Sequence, residues 1–373
     1  MNSRVRALLL GCFCGKWFLL AAGRVVNITG GRRYVLHVPQ SYTSRVRVPL
    51  WLLAPGTGDT AEDFMQMSSI TTLADKHGIA CAALEGAKQV FNVATHALPE
   101  PYMPDDIYYT KEVLRDVVKR INIDRRTIRC VGFSRGARFC SRLASELSSF
   151  ISAIAPVSGL RYPEPNNATH PMPIITFHGT ADPVNPFVGK GNPEYWHESV
   201  LQAVQRWADW NGCKRYKEEI ISSSVTYCKH LNCTDGAEVL LVQIRGGGHT
   251  WPGGSRIPFF PVARFGAVSH DIDSKIDIYN FFRSHPSRVT CHTAVQGEPC
   301  YRHILWVKKH GLFSQPQLYE GLSHAATLKE IQAVIHKNFY ANCPLPCQPR
   351  VSRAEKQHIA LKHDDVHLPI VSR

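Results

Sequence analysis

A chain of 373 residues has room for one large core and something smaller, because single cores seldom grow past roughly 250 to 300 residues. A composition 44% hydrophobic and 20% charged excludes the disordered and fibrous classes. The formal charge of +13 is scattered, with no long basic run and no nucleic-acid motif. That argues against a nucleic-acid partner and leaves a solvated basic surface or an affinity for an acidic glycan.

Met1-Asn2-Ser3-Arg4-Val5-Arg6 precedes an apolar stretch from Ala7 to Ala22 that ends in Ala21, Ala22 and Gly23. A basic start, an apolar middle and a small-residue exit predict a secretory signal over 1–23. Lys16 interrupts the stretch and argues against stable membrane insertion, which needs about 20 apolar residues. Leu9-Leu10-Gly11-Cys12 is similar to a lipobox and leaves open cleavage or anchoring. Sequons at Asn27, Asn167 and Asn232 and twelve cysteines, most of them from Cys213 onward, suit an oxidising compartment.

In chain order, Tyr34 to Val38 alternates as an early strand, and Pro49 to Ala54 is an apolar run that ends in Pro55-Gly56-Thr57-Gly58. Such a run reads as a strand buried on both faces. A helix is expected over 59–77, a buried strand over 78–84 and a helix over 109–121 with Val113, Leu114, Val117, Val118 and Ile121 on one face. The strand 127–132 then runs into Gly132-Phe133-Ser134-Arg135-Gly136 and a helix over 137–147. Strands over 151–157, 173–178 and 239–244 and helices over 198–211 and 273–283 complete a repeating alternation. Strands alternating with helices predict a doubly wound, mostly parallel sheet, an α/β domain over 24–285. After Ser284 the alternation stops, and 286–349 reads as a small disulfide-stapled segment with one amphipathic helix near 327–338. The spacings of Cys291, Cys300, Cys343 and Cys347, with His292 or His303, fit no zinc module, so no metal is expected. The basic tail 350–373 reads as disordered.

Gly-x-Ser-x-Gly between a strand and a helix is the setting of a strained turn that exposes a serine hydroxyl, with Ser134 as the candidate nucleophile. A serine hydroxyl needs a base, itself oriented by a carboxylate. Asp182, just past the strand 173–178, and His249, just past the strand 239–244, stand in the chain order serine, acid, histidine. Asp209 falls within a helix and Asp235 in a Cys-rich loop, and both read as surface carboxylates. His178 reads as a packed histidine and His270 as part of a helix start. A developing oxyanion needs two N–H donors, for which Arg135 and Thr57 are the candidates. Trp251 and Trp196 are candidate aromatic walls, with buried structural tryptophans the competing reading. Serine chemistry of this kind needs no cofactor.

Ala54-Pro55-Gly56-Thr57-Gly58 with Ala61-Glu62-Asp63-Phe64, the serine turn with Arg142-Leu143-Ala144, Ala153 to Gly159, His178 to Asp182, and Gly246 to Gly254 carry a resemblance. Over Gly31 to Phe282 the chain resembles the secreted polyhydroxybutyrate-depolymerase-like and feruloyl-esterase-like branch of the α/β-hydrolases, carbohydrate esterase family one in the wide sense. The resemblance implies the same Ser134, Asp182 and His249, and an ester substrate, feruloyl or acetyl groups on polysaccharide or a polyester of the polyhydroxybutyrate type. It also implies that Cys213 pairs with a cysteine before the last strand, for which Cys233 fits better than Cys228. Pro55 stands where the family usually has His, and Arg135 where it usually has a small or amide residue, which narrows the substrate range or turns it toward anionic esters. A secreted binding protein that kept the scaffold and lost its chemistry is the alternative from another class.

Overall fold

The computed structural model describes residues 23–93, 103–190, 196–254, 262–286 and 291–347. The expected signal, apart from Gly23, and the expected tail lie outside the described residues. β1 (Arg24–Asn27), β2 (Arg33–His37) and β3 (Val48–Ala54) lead to α1 (Ala61–Ser68) and α2 (Ile70–His77). Then come β4 (Ala80–Leu84), α3 (Asp106–Arg120), β5 (Ile123–Phe133), α4 (Arg135–Glu146), β6 (Ile151–Val157) and β7 (Ile174–Gly179). α5 (Val200–Trp210), β8 (Arg215–Ile220), β9 (Val225–Leu231), β10 (Val239–Ile244), α6 (Val262–Phe265) and α7 (Ser274–Ser284) follow.

The strands form one ten-stranded sheet in the order β1-β2-β4-β3-β5-β6-β7-β10-β9-β8. The neighbours from β4 to β10 pair parallel, and each flank is antiparallel. The central strands are buried throughout because both faces are covered: α3, α4 and α5 bury Leu114, Phe139 and Trp207 on one face, and α1, α2 and α7 bury Phe64, Leu73 and Phe282 on the other. Trp51 of β3 meets Phe282 edge to face, ring centroids 5.2 Å apart, and locks α7 down.

Three expectations change. The helix expected over 59–77 is two helices, because Ser69 takes a left-handed conformation, φ 51°, and its N–H donates to Met65 O. β1, β8 and β9 extend the sheet where four residues (β1), or charged ones such as Arg-Tyr-Lys-Glu-Glu-Ile (β8), hide the apolar alternation of a strand. In the C-terminal segment more than one helix forms: α8 (Pro299–Trp306) continues through a π turn, Val307–Gly311, into α9 (Leu312–Ser314), and α10 (Leu328–Lys337) packs beside it. Gln332 of α10 is buried, its amide donating to His292 O and Pro344 O and accepting from Ala294 N–H, which ties the two ends of the segment to this helix. Cys291–Cys347 and Cys300–Cys343 bonds close this segment. Phe339 drives into the main core against Phe150, 4.8 Å between ring centroids, under the guanidinium of Arg125.

Candidate active site

Loops at the carboxyl ends of β5, β7 and β10 meet over the sheet, the place where parallel sheets gather their functional groups. Ser134 lies between β5 and α4 with φ 54° and ψ −118°, a strained backbone for a residue with a side chain. The surroundings impose it, and they require glycine at two positions. A Cβ on Gly136 would stand 1.9 Å from Ala54 O, and one on Gly132 2.4 Å from Gly136 O. Ser134 N–H donates to Val157 O at 2.9 Å, which pins the turn to the end of β6. A Cys130–Cys140 bond, given by no motif in the sequence, ties the strand below the turn to the helix above it.

Asp182 follows β7 in a turn that its own carboxylate organises, Oδ1 accepting from Val184 N–H at 2.8 Å and Asn185 N–H at 2.7 Å. His249 follows β10, and the two loops are joined by Ala181 N–H donating to Gly247 O at 3.0 Å. His249 Nδ1 donates to Asp182 Oδ2 at 2.8 Å, and Ser134 Oγ donates to His249 Nε2 at 2.8 Å. All three side chains are buried, with Ser134 8%, Asp182 4% and His249 2% exposed. An imidazole whose Nδ1–H is held by a carboxylate offers its other nitrogen as a base toward the hydroxyl. Phe133 lies 5.2 Å from the His249 ring, which keeps water from one side of it.

His178 is a fourth polar group here, fully buried, with Nε2 donating to Asn185 O at 2.8 Å and lying 3.4 Å from Asp182 Oδ2. Burial pushes its pKa down, so it stays neutral, and it braces the turn that carries Asp182. Asn185, which the sequence does not single out, reaches the other side of the site and donates to Ser158 O at 2.7 Å.

The loop 55–58 passes beside the serine. A Cβ on Gly56 would lie 3.4 Å from Ser134 Cβ, and Thr57 next to it is exposed. Gly58 N–H donates to Gln89 O and Asp59 N–H to Gly56 O, which fixes the loop from both sides. Arg135 opens α4, and its Nε donates to Phe91 O at 2.5 Å. Trp251 and Trp196 are interior, each 2% exposed, so neither forms an exposed wall for a substrate ring. Trp251 packs edge to face on Phe64, and Trp196 stacks on His178 and donates to Pro186 O, because each indole has a place in the core to fill. Asp209 and Asp235 are exposed and away from the histidine. α7 is capped by Asp273, not started at His270. Cys213 bonds Cys233, and Cys228 is buried without a disulfide partner. Among the described residues no group of three or more His, Cys, Asp or Glu side chains is arranged to hold a metal ion.

Fold and site together define an α/β-hydrolase. No family model matches the chain. It is 30% identical over 283 residues to NocK of Nocardia uniformis subsp. tsuyamanensis, named as an esterase, over 68% of this chain and 79% of that protein. It is 25% identical over 234 residues to feruloyl esterase B of Piromyces equi, over 58% of this chain and 42% of that protein. A 79-residue stretch is 33% identical to the bifunctional acetylxylan esterase/xylanase XynS20E of Neocallimastix patriciarum, covering 21% of this chain and 12% of that protein. Among solved structures, acetyl xylan esterase from Aspergillus awamori aligns with a TM-score of 0.45 and 13% identity, over 61% of this chain and 93% of that one. The chain belongs to the same family of α/β-hydrolase esterases as NocK and is a carboxylic ester hydrolase.

Proposed function

We propose that the protein is a secreted serine esterase that cleaves feruloyl or acetyl esters of polysaccharide through an acyl-enzyme. The observation that carries the mechanism is the unbroken hydrogen-bonded line from Asp182 through His249 to Ser134, 2.8 Å at each link. In this reading Ser134 Oγ attacks the ester carbonyl carbon while His249 Nε2 takes its proton, and the carbonyl oxygen becomes the oxyanion. N–H groups of Arg135, at the start of α4, and Thr57, on the loop beside the serine, receive that charge. His249 then returns the proton to the leaving alcohol, and water repeats the sequence on the acyl group. The substrate class is drawn from the relatives named feruloyl esterase and acetylxylan esterase.

Secretion is supported by the four disulfides among the described residues and by exposed asparagines at the three sequons, Asn27, Asn167 and Asn232, which suit glycosylation. Among the described residues no helix is long and apolar enough to cross a membrane. Ser134→Ala abolishes turnover of p-nitrophenyl acetate and labelling by a fluorophosphonate in this reading. Retained turnover in that variant overturns the mechanism, and an unlabelled wild type points to a binding protein. Methyl ferulate, an acetylated xylan and a hydroxybutyrate oligomer compared as substrates decide the acyl class.

A further inference from the structure

The proposed triad leaves one carboxyl beside the nucleophile unused. Asp59 is 8% exposed, and a single methyl group built on Gly56 would touch both sides, 2.8 Å from Asp59 Oδ2 and 3.4 Å from Ser134 Cβ. The position is not that of a helix cap. Thr60 caps α1, and Asp63 closes the capping box by accepting from Thr60 N–H, so the helix start is complete without Asp59. The backbone of Gly56 lies against it, and among the described residues no cation acts on it. A carboxyl next to the serine, with no positive partner among the described residues, puts an uncompensated charge beside the nucleophile.

We propose that Asp59 is a specificity-determining residue that turns the esterase away from anionic acyl groups once its carboxyl is ionised. The proposal rests on Ser134 being the nucleophile. It reverses the expectation from Arg135, whose guanidinium is drawn to Phe91 O. Two like charges several ångströms apart at a partly buried site cost about tenfold or more in an equilibrium or a rate.

The charge is set by pH in a useful range. Burial first, and the neighbouring carboxylate of Asp63 second, push the Asp59 carboxyl up to about 6, against the Gly56 hydrogen bond that lowers it. It is therefore neutral near pH 5 and anionic near pH 7.5. The groups that face it are Asp63 from α1, the backbone of the loop 55–58 and, across that loop, Ser134. A ratio of two substrates removes whatever affects every ester alike.

The test is the ratio of kcat/KM for a p-nitrophenyl ester with a sulfonate at the end of its acyl chain to that for its uncharged isostere, from pH 5 to 8. A sulfonate keeps its charge throughout, so any change belongs to the enzyme. In the wild type the ratio falls about tenfold as pH rises, with a midpoint near 6, and in Asp59→Asn it is flat and high. Asp63→Asn, which removes the repelling neighbour, moves the wild-type midpoint down and serves if Asp59→Asn does not fold. A flat ratio in the wild type, or an unmoved midpoint in both variants, overturns the proposal. Fluorophosphonate labelling on the same preparation separates the two failures: a labelled enzyme with a flat ratio sinks only the role of Asp59, and an unlabelled one sinks the nucleophile.

Discussion

Glycine at 136 is required by two carbonyls, since a methyl group there would overlap Ala54 O and Pro55 O. Gly136→Ala therefore displaces α4 from β3 and costs about 3 kcal/mol in urea unfolding, the upper range for forcing a methyl into a packed site. In the proposed mechanism Asp182→Asn leaves the turn folded and presents His249 with the wrong hydrogen-bonding partner, so kcat drops by about 10³ to 10⁴ while KM changes little. His178 makes a different prediction. Its folded pKa is depressed, so the unfolded chain takes up a proton first as pH falls below about 6.5. Stability held above that pH is lost below it, and urea titrations of His178→Gln between pH 7.5 and 5 show a shallower decline than those of the wild type. Ser134, Asp182 and His249 were visible in the sequence because each follows a strand directly within a glycine-rich or turn-forming segment. Asp59 was not, since its nearness to the serine arises only when the loop after β3 folds across the end of β5.

Among the elements, the pair β5 and α4 carries the strain at Ser134 and also the Cys130–Cys140 bond that spans it. Both sulfurs sit in a fully buried environment. Replacing the two cysteines by alanine removes a closure of about ten residues, worth about 3 kcal/mol, and lowers the melting temperature without changing the chain order of the site. The parallel centre of the sheet was legible because its strands are apolar on both faces, as in Pro-Leu-Trp-Leu-Leu-Ala of β3. The antiparallel flanks were not, because β8 is exposed along almost its whole length and alternates nothing against water. Ser69 broke the expected 59–77 helix for a reason no periodicity records, a single left-handed residue between two apolar faces that both reach the core.

At the level of the whole molecule, the segment 291–347 has its own apolar cluster and is joined to the main sheet by few but deep contacts. Phe339 enters the core, Asn342 Oδ1 accepts from Ser149 N–H, and Arg125 and Arg115 donate to carbonyls at the end of α10. Phe339→Ala loses a buried ring and costs about 3 to 5 kcal/mol, read as a lower melting temperature and faster proteolysis of this segment. The cysteines announced a stapled unit in the sequence, but Phe339 did not announce itself as its peg. Its left-handed backbone, φ 55°, follows α10 directly, and only the packing shows where the ring goes.

The peg goes in at the starts of β5 and β6, beside Arg125 and Phe150, whereas Ser134 stands where β5 finishes, with Asp182 and His249 past the same ends of β7 and β10. β5 is thus a rod gripped at its foot and working at its tip. The 291–347 segment therefore packs on the end of the sheet opposite the loops that carry Ser134, Asp182 and His249.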